Sequence, residues 1–255
     1  MKVILLAGGF GTRLSEETEV RPKPMVEIGG RPILWHIMKI YSYYGFNEFI
    51  IALGYKADYI KKYFLDYTSH SGNLTVSIKN GFSEITQREQ DEWIIHLEET
   101  GLDTMTGGRI KSLSNWVKDE PFMVTYGDGV ADINIADLIG YHKKMGKLAT
   151  ITAVRPPARF GGLQMEEGLV KKFTEKPQSG EGWINGGFIV FEPEVLNLIR
   201  DSKSSLESEL LEELAEMGQL AAYNHYGFWQ CMDTLRDLKY LESLWVAGNA
   251  AWKVW

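Results

Sequence analysis

The stretch Leu6-Ala7-Gly8-Gly9-Phe10-Gly11-Thr12-Arg13-Leu14 puts three glycines and an arginine immediately after a run of apolar residues. Glycine lets a backbone turn tightly and bring its N–H groups against phosphate oxygens with no Cβ in the way. Two familiar phosphate loops do not fit. A dinucleotide-binding turn needs Gly-x-Gly-x-x-Gly opening into a helix, and Leu14 stands where the third glycine belongs. The polar segment from Ser15 to Lys23 holds Pro22, so no helix is expected close behind. A Walker loop would close on Gly-Lys-Ser or Gly-Lys-Thr, and this one does not.

A basic set follows: Arg13, Arg21 and Lys23, with Lys23 held between Pro22 and Pro24. Prolines on both sides stiffen the backbone and aim the ammonium from a fixed segment. Any one of these residues alone reads as solvated surface. Together, beside a glycine loop, they suit a triphosphate whose charge must be screened before a nucleophile can approach. Two aspartates add metal chemistry. Asp128, in Thr125-Tyr126-Gly127-Asp128-Gly129, closes an apolar strand, and Asp233 follows Phe228-Trp229-Gln230-Cys231-Met232 at the start of a helical pattern. Magnesium takes hard oxygen ligands, usually one or two carboxylates completed by water and phosphate. Each aspartate taken singly also fits a turn residue or a helix N-cap.

These groups need a scaffold, and the hydrophobic pattern supplies one. Lys2 to Ala7, Phe49 to Leu53, Phe122 to Tyr126 and Leu148 to Val154 read as buried strands. Helical spacing covers Pro32 to Tyr44, Asp58 to Tyr67, Ile135 to Met145, Leu206 to Met217 and Thr234 to Ala247. Ile184 to Phe191 is strand-like, whereas Asn80 to Glu92 is polar without period and reads as a loop. Strands alternating with helices indicate an α/β three-layer sandwich, Rossmann-like, around a mainly parallel (mixed) sheet. Asp128, at the carboxyl end of its strand, would then face the same cleft as the glycine loop. With no repeat or linker, residues 1–255 read as a single domain. The stretch Trp245 to Trp255 carries three tryptophans, which suit either packing on the core or an interface.

Composition narrows the classes. The 34 acidic against 27 basic residues argue against a nucleic-acid partner, which would need a broad basic face. No apolar run approaches the roughly 18 residues of a membrane span, and the apolar start is too short for a signal peptide. A single cysteine, Cys231, permits no internal disulfide and fits a cytoplasmic location.

The motifs Gly8-Gly9-x-Gly11-Thr12-Arg13-Leu14, Lys23-Pro24-Met25-Val26 and Gly30-x-Pro32-Ile33-Leu34, in that order and separation, resemble the signature of the sugar-1-phosphate nucleotidyltransferase superfamily. The resemblance implies a nucleotide site built from Leu6, Ala7, Gly8, Gly9, Phe10, Gly11, Thr12, Thr104, Arg109 and Gly127. It implies catalytic roles for Arg13 and Lys23, and Mg2+ held by Asp128 and Asp233. Glu175 and Lys176, in Phe173-Thr174-Glu175-Lys176-Pro177, would take the sugar hydroxyls and the 1-phosphate, with Asn185 and Gly186 beside them. An exposed charged pair on an edge strand is the plainer reading of Glu175 and Lys176.

Met105-Thr106-Gly107-Gly108-Arg109, Arg159-Phe160-Gly161-Gly162-Leu163 and Asp233-Thr234-Leu235-Arg236-Asp237 are similar to the glucose-1-phosphate cytidylyltransferase subfamily. That implies CTP and glucose 1-phosphate as substrates, CDP-glucose for lipopolysaccharide or other deoxysugar polymers, and a homo-oligomer, trimer or hexamer. Two positions depart from the subfamily pattern: Cys231 and Leu210 replace its usual prolines. A dTTP- or UTP-using relative and a non-catalytic nucleotide-sugar sensor are the rival readings; a sensor should lack one of Arg13, Lys23, Asp128 and Asp233, and all four are present.

Overall fold

A computed structural model describes residues 1–11, 14–70, 72–86, 91–156, 162–166, 169–174 and 182–255. Val3–Leu6 forms the centre of an eight-stranded mixed sheet, parallel to Glu48–Leu53 on one side and to Phe122–Tyr126 on the other. Ile94–Glu99 extends the sheet beyond Glu48–Leu53, again parallel. On the far side Ile189–Phe191 runs antiparallel between Phe122–Tyr126 and Ala149–Val154. Leu220–Asn224 then pairs parallel with Ala149–Val154. The four strands expected from apolar runs are therefore all in this sheet.

Alternation along the first strand explains the layers. Val3 and Leu5 point into one core with Ile33, Ile37, Tyr41 and Trp252; Ile4 and Leu6 point into the other with Ile110, Leu113, Leu196 and Leu206. A strand buried on both faces reads as a continuous apolar run, and helices cover each face. The α/β three-layer reading holds, as a mixed sheet.

Several local expectations change. A one-turn helix, Ser15–Thr18, does follow Leu14. Within the polar stretch, Phe82–Thr86 is a strand antiparallel to Asn73–Ser77, while residues 87–90 lie outside the described set. Ile184 to Phe191 divides into Ile184–Asn185 and Ile189–Phe191, because Gly187 and Phe188 take positive φ of 77° and 48°. The helix expected over Leu206 to Met217 starts as a π turn, Leu206–Leu211, and becomes α-helical at Glu212–Glu216. Among the described residues no helix is long and apolar enough to cross a membrane.

The tryptophans pack on the chain's own core. Trp252 is fully buried, stacks on Phe228 and donates its indole N–H to Nδ1 of His36 at 3.3 Å. Indole only donates, so Nδ1 must accept, and the imidazole proton sits on Nε2, 2.8 Å from the carbonyl of Ile28. Burial pushes His36 down to about 4, against the backbone hydrogen bonds that favour its charge. The folded value lies below the unfolded one, so this stability is whole above the ordinary histidine value of 6.5 and is lost as pH falls toward about 4. Between those limits the loss is about 1.4 kcal/mol per pH unit. Thermal unfolding between about pH 7 and about pH 5 should weaken more steeply in the parent than in His36→Gln. Parallel slopes would clear His36 of that role.

Candidate active site

The chain order reverses across Val3–Leu6, with later strands placed on both of its sides. Such a switch point opens a crevice beyond the carboxyl ends of the strands. Here it is a cavity of about 630 Å³, lined by Leu6 to Gly11, Lys23 and Pro24, Leu102 to Thr106 with Arg109, and Tyr126 to Asp128. Of the residues expected from sequence to meet a nucleotide, Leu6, Ala7, Gly8, Gly9, Phe10, Gly11, Thr104, Arg109 and Gly127 share this one cavity. Thr12, Arg13, Glu175 and Lys176 lie outside the described residues.

Lys23 opens a short 3-10 turn, Lys23–Met25, set up by the extended backbone of Pro22 and by Pro24. Its side chain reaches two carboxylates. Nζ donates to Asp128 Oδ2 at 2.6 Å and to Asp233 Oδ1 at 2.5 Å. Burial opposes the Lys23 charge more than any other single influence, but Asp128 and Asp233 together outweigh it and hold the ammonium above its ordinary value. Asp233 is not the N-cap of the helix Leu235–Val246. Thr234 is, in a capping box with Asp237, whose Oδ2 also accepts the Asp233 N–H. That arrangement leaves the Asp233 carboxylate to Lys23. Arg21 turns away from this centre and pairs with Glu27 at 2.8 Å and Glu17 at 3.8 Å.

Among the described residues no group of three His, Cys, Asp or Glu side chains is arranged to hold a metal. Two hard carboxylates do converge on one cation position, now taken by an ammonium, and a divalent ion completed by substrate phosphates needs no more than that. Cys231, at one of the two departing positions, has its thiol 3.8 Å from Asp233 Oδ2. Burial first, then the neighbouring carboxylates, pushes that thiol up to about 12.

Arg109 is placed where the sequence puts it but is heavily engaged. Its guanidinium donates to the carbonyls of Leu53, Gly101, Gly8 and Leu102 and to the Thr100 hydroxyl, at 2.6 to 3.3 Å. It ties the glycine turn to the ends of two neighbouring strands. A Cβ on Gly8 would stand 2.3 Å from Arg109 Nη1, which is why that position has none. Gly11 closes the turn at φ 64°, and a Cβ there would stand 3.0 Å from that of Lys23.

Asn185 and Gly186 do not line the cavity directly; Asn185 approaches it through Tyr126. Asn185 Nδ2 donates to the Tyr126 hydroxyl at 3.4 Å, and Gly186 gives its carbonyl to Trp229 Nε1 at 2.8 Å. Sequence reasoning missed Tyr126 itself, Glu207, which accepts its hydroxyl proton at 2.7 Å, and Lys203, which lines the cavity. The aromatic between Thr125 and Gly127 was a visible signal; Glu207 and Lys203 carried none.

The Lys23 ammonium between Asp128 and Asp233 shares one cavity with the glycine turn. The chain belongs to the nucleotidyl transferase family, which it matches over residues 2–250. It is similar to the glucose-1-phosphate cytidylyltransferase of Salmonella typhi, with 52% identity over 256 residues and 100% of each chain covered. The probable glucose-1-phosphate cytidylyltransferase of Bacillus subtilis is 48% identical over 257 residues, again covering 100% of both. A solved structure of UDP-glucose pyrophosphorylase complexed with UDP-glucose shares the fold, with a TM-score of 0.69 at 16% identity over 97% of this chain and 98% of that one.

Proposed function

We propose that this chain makes CDP-glucose and pyrophosphate from CTP and glucose 1-phosphate. Full-length identity of 52% to a glucose-1-phosphate cytidylyltransferase supports the substrate pair. The geometric observation that carries the chemistry is the Lys23 ammonium between Asp128 and Asp233 at the foot of the glycine turn. A phosphate oxygen of the sugar 1-phosphate attacks the α-phosphorus of CTP. The new P–O bond forms as the bond from the α-phosphorus to the bridging oxygen breaks, and pyrophosphate leaves with that electron pair. The attacking oxygen is already ionised, so no side chain need act as base. What the protein supplies is position and charge.

The glycine turn presents N–H groups to the triphosphate, and Arg109 fixes that turn in place. Lys23 and Arg13 offset the charge that builds during transfer. Asp128 and Asp233 would hold Mg2+, which would neutralise phosphate charge when bound. Glu175 and Lys176 would take the sugar hydroxyls and the 1-phosphate, with Asn185 and Gly186 serving the same half of the reaction. The chain works as one catalytic unit and as a homo-oligomer.

Purified protein with glucose 1-phosphate, magnesium and each of CTP, dTTP, UTP, ATP and GTP should release pyrophosphate strongly with CTP alone, and chelation should stop it. Release with a different nucleotide would keep the chemistry and overturn the base assignment. No release with any of the five would overturn the substrate pair.

A further inference from the structure

Glu207 lies outside the cavity lining, on the π turn, yet it bonds Tyr126 and Thr106, which line the cavity. Its carboxylate accepts from Tyr126 Oη at 2.7 Å, Thr106 Oγ1 at 2.8 Å and Ser205 Oγ at 3.0 Å. Ser205 in turn accepts the N–H groups of Glu207 and Ser208, which fixes the start of the π turn. The segment before it is locked onto the cavity wall: Met105 N–H donates to the Ser202 carbonyl at 2.9 Å and Gly108 N–H to that of Ser204 at 3.0 Å. Gly107 and Gly108 permit this approach, since a Cβ on either would stand under 3.0 Å from that backbone. Glu207 is thus exposed yet rigidly mounted.

The direction of the bonds carries the consequence. Tyr126 donates its only proton to Glu207, so toward Asn185 the phenol can only accept. Asn185 must therefore turn its amide nitrogen to Tyr126, while its Oδ1 accepts the Gly187 N–H at 3.0 Å. With Oδ1 engaged and one N–H given to Tyr126, the amide can offer its second N–H only as a donor. Were Glu207 absent, the Tyr126 hydroxyl could rotate and donate instead, leaving the Gly187 N–H alone to hold the amide's sense.

We infer that Glu207 is a positioning residue for the sugar half of the site, orienting the Asn185 amide through the Tyr126 hydroxyl so that it donates to an oxygen of the bound sugar phosphate. This rests on the reading of Asn185 as a sugar-side residue. Thr106, on the nucleotide side, shares the same carboxylate, so the two halves of the site are mechanically joined at Glu207.

The test compares binding of CDP-glucose with binding of CDP by calorimetry, because the ratio of the two affinities isolates the sugar. Tyr126→Phe and Glu207→Ala should each lower that ratio about tenfold, the weight of one hydrogen bond to a charged or fixed partner. The double variant should lose no more than either single one, since both cut the same relay. Glu207→Gln keeps an acceptor oxygen for Tyr126 and should keep the ratio within about threefold of the parent. A ratio unchanged in Tyr126→Phe, or additive losses in the double variant, overturns the relay. An equal loss for CDP and CDP-glucose in both single variants reduces Glu207 to a structural brace. A parent protein that binds CDP but gains nothing from the glucose overturns the sugar assignment, and the relay with it.

Discussion

Lys23→Ala is expected to lower kcat about a hundred- to a thousandfold, the range seen when one fixed charge-stabilising donor is removed from a transfer site. The KM for the sugar phosphate should change far less, because the ammonium matters most where charge builds in transfer. Its geometry makes substitution hard to repair: the side chain is 11% exposed, issues from a proline-flanked turn and meets two carboxylates within 2.6 Å. Removing it also leaves those carboxylates facing each other. The stability lost should be about 2–3 kcal/mol, less than for a fully buried pair, because the Asp128 side chain keeps 31% exposure. Magnesium should recover part of that stability in the variant, which separates a folding defect from a chemical one. Steady-state kinetics with a thermal melt, with and without magnesium, read both. A near-normal kcat would remove Lys23 from the chemistry.

Gly8→Ala and Gly9→Ala should behave as opposites, although the residues are adjacent. A Cβ at Gly8 would lie 2.3 Å from Arg109 Nη1 and 2.4 Å from Cζ, whereas one at Gly9 meets nothing within 4 Å. The guanidinium could retreat only by giving up bonds to Leu53, Thr100, Gly101, Gly8 and Leu102. Stranding a buried charged donor with several carbonyls costs about 3 kcal/mol or more. Gly8→Ala should therefore drop Tm by many degrees and abolish measurable CTP binding. Gly9→Ala should melt within about a degree or two of the parent. Equal melting of the two would mean that Arg109 does not pin the turn.

The parts legible in the sequence share one property: their cause is local. Val3–Leu6 and Phe122–Tyr126 announce themselves as apolar runs because both faces are buried, and glycine or aspartate marks where each ends. Lys23 stands out because prolines flank it. Local pattern could not tell whether Asp233 capped its helix or faced the site, since an aspartate suits both. Thr234 settles it by taking the cap with Asp237. The family resemblance puts Arg109 at the site, but its five partners come from the ends of neighbouring strands, and the one on Gly8 is 101 residues away. Glu207 sits among alternating glutamates and leucines that read as an ordinary amphipathic helix. Only the fold reveals that its carboxylate meets Tyr126, 81 positions earlier. The Phe82–Thr86 strand was hidden for another reason: among the described residues it pairs with Asn73–Ser77 alone, with many side chains exposed, so burial left no period to read.

The ammonium at the centre of the site joins a residue near the beginning of the chain to one 210 positions later. During synthesis the glycine turn and Lys23 leave the ribosome long before Asp233 has been made. No nascent or prematurely terminated product ending upstream of Asp233 can assemble the full charge centre, however well its early strands have paired. The charge centre is thus completed only once Asp233 has been made, 210 positions after Lys23.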